Sequence, residues 1–79
     1  MITFDNRAVG NVIKSLRSER KISQEVFSGF ANISRSHLSM IETGMKQANF
    51  ETIWKIANAF DMMPSELVQK IEKEILQNM

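Results

Sequence analysis

The sequence contains no cysteine, only one proline and three glycines among its 79 residues. Without cysteine, neither disulfides nor thiolate-bound metals can stabilise the chain. No low-complexity segment is present, and no apolar run is long enough to span a membrane. The N-terminus, MITFDNR, lacks the pattern of a secretion signal. We therefore expect a cytoplasmic protein that forms a single domain over residues 1–79, with no metal, cofactor or membrane partner.

The charged residues are unevenly distributed, although the net charge is only +1. Residues 1–47 carry seven Lys or Arg against four Asp or Glu, whereas residues 48–79 carry three against five. A basic first half suits contact with a polyanion. Charge alone leaves a chance asymmetry open, so the argument for a partner depends on the motifs.

Apolar residues recur with helical spacing, and no segment alternates as a strand would. Ser23, Ser34 and Asn49 are residue types that favour the position before a helix, and Pro64 is suited to the first turn of one. The pattern predicts a first helix after Asp5-Asn6, then helices at 24–30 and 34–43, one from Asn49 to about residue 60, and one at 64–77. The sequence therefore predicts an all-α fold.

The two central helices form the most informative motif. Segments 24–30 and 34–43 are joined by Ala31-Asn32-Ile33, and Asn tolerates the left-handed conformation of a tight turn. Two short helices joined in this way are typical of a helix-turn-helix. In that unit the second helix enters the DNA major groove, so its outward side chains should be polar and compact. Arg35, Ser36, His37, Ser39 and Met40 fit this description.

Short matches to a known pattern run through most of the chain. They are Leu16-Arg17, Ser23-Gln24-Glu25, Ile33-Ser34, Ser39, Ile41-Glu42 with Gly44, and Thr52-Ile53 before Ile56-Ala57. Over roughly residues 8–68 the sequence resembles the xenobiotic-response-element family of bacterial and phage regulators, which includes Cro proteins and lambda-type repressors. The resemblance implies a compact five-helix, lambda-repressor-like DNA-binding domain with the helix-turn-helix at helices 2 and 3.

The resemblance also implies roles for individual positions. The residues expected to face bases are Arg35, Ser36, Ser39 and Met40. Those expected near the DNA backbone are Gln24, Ser34, His37, Thr43, Lys46 and Asn49. Arg17 and Glu42 match a pair that forms an internal salt bridge, so we interpret them as structural. For Arg35 a phosphate contact remains the alternative, and for Met40 a half-buried packing role.

The last predicted helix carries more apolar surface than the end of a small domain can bury. Trp54 lies off the apolar stripe of the fourth helix and is expected to join that surface. We therefore predict a homodimer, with packing inside one chain as the alternative. The expected interface residues are Trp54, Val68, Ile71, Ile75 and Leu76.

A second apolar pair, Val26 and Phe30, lies four residues apart and therefore on one helix face. We expect Ile2 and Phe4 of the N-terminal segment to cover it.

The sequence thus predicts a transcription regulator that binds near-palindromic operators as a homodimer, with no catalysis and no small-molecule ligand. Controller proteins of restriction–modification systems are similar in length, place Asn in this turn and end in a helix like IEKEILQNM. A general repressor or a plasmid or phage regulator remains open. The rival class is a protein-interaction module, such as a toxin-binding antitoxin of the same fold.

Overall fold

The computed structural model describes residues 2–79, which contain five α-helices and no strand. The helices are α1 (Asn6–Glu19), α2 (Gln24–Ala31), α3 (Arg35–Glu42), α4 (Phe50–Ala59) and α5 (Pro64–Gln77). The all-α prediction is confirmed, and the predicted helix at 64–77 has the observed bounds. None of the helices among residues 2–79 is long and apolar enough to cross a membrane.

Side chains at the helix starts explain why the helices begin where they do. Before each of α1 to α4, a side-chain oxygen of the capping residue accepts a backbone N–H of the first turn that has no partner within the helix. The capping residues are Asp5, Ser23, Ser34 and Asn49. In α5 the arrangement is reversed, because the Glu66 carboxylate accepts the Met63 N–H at 2.9 Å. These local contacts define the bounds of the central helix pair.

One hydrophobic core joins all five helices. Helix α1 packs mainly on α3 and α5, α2 packs on α3 and α4, and α4 packs on α5. Phe27 of α2 stacks on Phe60, with ring centroids 4.3 Å apart. The largest fully buried side chains are Phe27, Ile13, Leu38, Ile41, Ile56 and Leu67. Because α2 and α3 both contribute to this core, the helix-turn-helix is a rigid part of the fold.

The turn between α2 and α3 has the predicted conformation. Asn32 is left-handed (φ 56°, ψ 45°), and the Ile33 N–H donates to the Ser28 carbonyl oxygen at 3.1 Å. A second left-handed residue, Gly44 (φ 80°), follows α3. Beyond it, the N–H groups of Met45 and Lys46 both donate to the Met40 carbonyl oxygen, at 2.9 and 3.2 Å. The loop after α3 therefore folds back onto the end of that helix.

A glycine allows α1 to lie directly on the C-terminal end of α3. A Cβ atom at Gly10 would clash with the Glu42 carbonyl oxygen and would lie 2.5 Å from that of Ile41. No real Cβ atom is found so close to backbone. The position of α3 relative to α1 therefore requires glycine at residue 10.

The predicted cover of Val26 and Phe30 is wrong. These two side chains are 50% and 64% exposed. Ile2 and Phe4 instead line a groove beside α4 and α5. The physical reason is that the N-terminal segment leads into α1, which packs mainly on α3 and α5 rather than on α2.

The two helical glycines provide a matched pair for testing the α1–α3 contact. We expect Gly10→Ala to lower the free energy of unfolding by about 1–3 kcal/mol, because the backbones of α1 and α3 must move apart. Gly29→Ala meets nothing within 4 Å, so it should raise that free energy by about 0.5–1 kcal/mol through helix propensity. Urea unfolding at equal protein concentration measures both. Equal shifts for the two variants would contradict this view of Gly10.

Candidate nucleic-acid interface

The outward face of α3, which carries three polar side chains and Met40, borders the start of α2. Arg35 and Ser36 are exposed, and Ser39 and Met40 are half-buried. Together with Gln24, these four side chains line one shallow depression. The structure therefore brings the four predicted base-contact residues to one side of a single helix. Their contacts with bases remain predictions.

The start of α3 leaves hydrogen-bonding capacity for DNA. The Ser34 hydroxyl oxygen accepts the His37 N–H at 3.0 Å, which leaves the Ser34 hydroxyl hydrogen free to point outward. Ser34 is exposed and His37 is half-buried. A hydroxyl donor and an imidazole at this helix end are suited to contact phosphate oxygens.

An ion pair between the partly buried Arg17 and the buried Glu42 holds the other end of α3. Arg17 Nε lies 2.8 Å from Glu42 Oε2, and the second guanidinium contact to Oε1 is 2.9 Å. The third arm of Arg17 donates to the Ile22 carbonyl oxygen at 2.9 Å. The hydrogen bonds and the charge of Glu42 raise the pKa of Arg17 above its ordinary value, although burial opposes the shift. The pair therefore links α1 to the C-terminal end of α3 through two hydrogen bonds.

Gln24 connects α2 to the same carboxylate. Its side-chain Nε2 donates to Glu42 Oε1 at 3.0 Å. One amide hydrogen and the amide oxygen of Gln24 remain for a ligand. Gln24 is half-buried at the first position of α2 and borders the depression on α3. It therefore both orients α3 and presents a donor beside it.

The remaining predicted backbone contacts follow α3. Thr43 donates its hydroxyl to the Met40 carbonyl oxygen at 3.1 Å. Lys46 is exposed, and its backbone N–H is bound to that same carbonyl group. Asn49 Oδ1 accepts the Thr52 N–H at 2.8 Å, so only the Asn49 amide group is left to donate to a phosphate. The loop thus places the Lys46 cation and the Asn49 amide group beyond the C-terminal end of α3, whereas the Thr43 hydroxyl hydrogen is already bound to the Met40 carbonyl oxygen.

An apolar groove of about 380 Å³ lies beside α5, away from the depression on α3. We define it by Ile2, Phe4, Phe50, Val68, Ile71 and Ile75. Val68, Ile71 and Ile75, three of the predicted interface residues, form its α5 wall. Ile71 is only 7% exposed and packs in the core of its own chain, so intramolecular packing accounts for part of the apolar excess.

Apolar side chains remain exposed beside this groove. Trp54, Val68 and Leu76 are each about half exposed. Phe50, which the sequence analysis did not single out, is 75% exposed and contacts Trp54 edge-to-face at a centroid distance of 5.8 Å. Phe50 is four residues before Trp54, and this spacing could have shown in the sequence that the two side chains lie on one helix face. The exposed apolar surface therefore extends from α5 onto α4.

A short helix with a polar outward face, fixed by a second helix through a tight turn, defines a helix-turn-helix protein. The sequence model of the Helix-turn-helix family matches residues 13–67 of this chain. The chain therefore belongs to the helix-turn-helix family.

Similar proteins include several controllers. The control protein C.MunI of Mycoplasma sp is 36% identical over 66 residues, covering 82% of this chain and 89% of that protein. The crystal structure of the restriction–modification controller protein C.AhdI from Aeromonas hydrophila has a TM-score of 0.75 at 29% identity, covering 78% of this chain and 94% of the other. The tetramer of the controller protein C.Esp1396I in complex with its natural 35 base-pair operator has a TM-score of 0.83 at 26% identity, covering 94% and 97%.

Two substitutions should separate base contacts from phosphate contacts. We expect Arg35→Ala to relax specificity at one base position, at a cost of about 1–3 kcal/mol per half-site. Lys46→Ala should weaken binding to all sequences alike, since phosphates carry no sequence information. Titration of each variant with specific and random duplexes measures both effects. The same loss on both duplexes for both variants would refute these roles.

Proposed function

We propose that this chain is the controller protein of a restriction–modification system, a transcription regulator that binds a near-palindromic operator as a homodimer. The observation that carries the proposal is the polar outward face of α3, where Arg35, Ser36, Ser39 and Met40 lie together beside Gln24. The similarity to C.MunI and C.AhdI supports the controller role. The operator complex of C.Esp1396I supports DNA as the ligand.

The proposed mechanism has two parts. A two-fold dimer presents its two α3 helices to successive major grooves about 34 Å apart, which corresponds to half-sites about 10 bp apart. Base contacts select the site, while phosphate contacts supply much of the affinity and its dependence on salt. Catalysis plays no part in this scheme. The concentration of the protein, acting through dimerisation, sets the occupancy of the operator.

The apolar groove and its exposed margin support the dimer. Four large apolar side chains are at least about half exposed to solvent, although the chain is small: Phe50, Trp54, Val68 and Leu76. In a two-fold dimer the same patch on each copy meets its equivalent, so both patches are buried at once. The groove offers a concave surface for the margin of the second copy.

Selection of bound duplexes from random DNA tests the DNA-binding part of the proposal. We expect enrichment of a near-palindrome with half-sites about 10 bp apart. For a controller, the selected site should also lie upstream of this chain's own gene and of a neighbouring endonuclease gene. Failure to enrich any sequence would refute sequence-specific binding, and a palindrome found without such neighbours would refute the controller role.

Two valines with similar exposure test the dimer. Val68 borders the groove and is 45% exposed, whereas Val26 lies on α2 and is 50% exposed. We expect Val68→Glu to shift the chain towards monomer in sedimentation experiments, because the charge would be buried in the interface. Val26→Glu should leave the dimer unchanged. Dimers of equal strength in both variants would exclude the groove as the interface.

A further inference from the structure

Arg7 is a cation that the proposed site does not yet include. It lies in the first turn of α1 and is exposed. The Asp5 carboxylate accepts the Arg7 backbone N–H at 2.9 Å, in the usual manner of a helix cap. Among residues 2–79 the ion pair present is Arg17–Glu42. In the described part of the chain, no carboxylate therefore lies within ion-pair distance of the Arg7 guanidinium.

Arg7 packs against the loop that follows α3. A Cβ atom at Gly44 would lie 3.0 Å from the Arg7 Cγ atom and 3.4 Å from its Cα atom. One turn further along α1, Gly10 contacts the carbonyl groups of Ile41 and Glu42. The start of α1 is therefore held at the C-terminal end of α3, and the stem of Arg7 covers Gly44.

Lys46 is held at the same end of α3. Its N–H donates to the Met40 carbonyl oxygen, and Gly44 lies between the two residues along the loop. The nearby acidic group of Glu42 is buried, with its side chain 2% exposed, and is neutralised by Arg17. Asp5 is the exposed carboxylate close to Arg7 in sequence, and its Oδ1 is engaged with the backbone.

We infer that Arg7 is a further DNA-backbone contact, which binds a phosphate beside the one approached by Lys46. This inference rests on the proposed function. When α3 lies in the major groove, the loop after it meets the sugar-phosphate backbone at the groove edge. A guanidinium extending from α1 over that loop is suited to contact a phosphate through two parallel hydrogen bonds. Arg7 thereby gives α1 a direct part in docking.

Arg7→Met and Arg7→Lys separate this charge from the packing of the stem on Gly44. Methionine keeps an aliphatic stem and removes the charge, whereas lysine keeps both. Lys70→Met is the control, because Lys70 is an exposed cation of α5 beside Ser15 and Glu19 in the second half of α1. Each variant is titrated at 50 and 200 mM salt with two probes, the selected operator and a random duplex of equal length.

A dimer that loses two phosphate contacts should show a slope of log affinity against log salt that is smaller by about 1.8. The ratio of the DNA affinity of the unsubstituted protein to that of Arg7→Met should therefore fall about tenfold between 50 and 200 mM salt, on both duplexes. Arg7→Lys should keep most of the slope. Lys70→Met should keep all of it, and all variants should share one melting temperature and one dimer constant.

An unchanged slope for Arg7→Met would overturn the inference, provided that the unsubstituted protein binds its operator. Failure of the unsubstituted protein to bind any duplex would instead overturn the proposed function. A lower melting temperature or a weaker dimer for Arg7→Met would assign Arg7 to packing and also overturn the inference. A change of slope on the operator alone would make Arg7 a base contact and contradict the assignment to phosphate.

Discussion

The Glu42 carboxylate is the point at which three helices meet. It ends α3, pairs through two contacts with Arg17 of α1, and accepts the amide of Gln24 at the start of α2. Burial of a carboxylate is costly unless its oxygens are paired and hydrogen-bonded, and here both are. Removal of any partner would leave charge or polar groups unsatisfied in the interior. The orientation of α3, and with it the whole polar surface, depends on this arrangement.

Close packing at Gly10 and Gly44 complements that electrostatic link. Gly10 lets α1 contact the backbone at the end of α3 directly, and Gly44 lets the stem of Arg7 pack closely on the loop that follows. The groove beside α5 lies on a different surface, lined by the N-terminal segment, α4 and α5. The fold thus separates the face of α3, which we propose binds DNA, from the apolar groove, which we propose binds a second copy.

Features that depend on local chemistry were predictable from the sequence. Ser23, Ser34 and Asn49 cap helices because a short oxygen-bearing side chain can accept a nearby N–H, and Asn32 adopts the left-handed turn for a similarly local reason. The path of Ile2 and Phe4 depends on which helices α1 packs against, and periodicity carries no such information. Phe50 was not predicted to belong to the apolar surface, because only the packed structure defines which face of α4 is exposed. The polar residues of α3 could be predicted to lie on one surface because a single short helix carries them all.

The division of α3 into two faces affects which substitutions such a protein can accept during evolution. Leu38, Ile41 and Glu42 point inward and hold the helix, whereas Arg35, Ser36 and Ser39 take no part in the core. Substitutions at the outward positions leave packing, the buried ion pair and the turn untouched. If the proposed base contacts hold, preference for a DNA sequence and stability of the fold are nearly independent properties of the same eight residues. A duplicated copy of the gene would then reach a new operator by a few substitutions on one face of α3, with its scaffold and its proposed dimer surface retained.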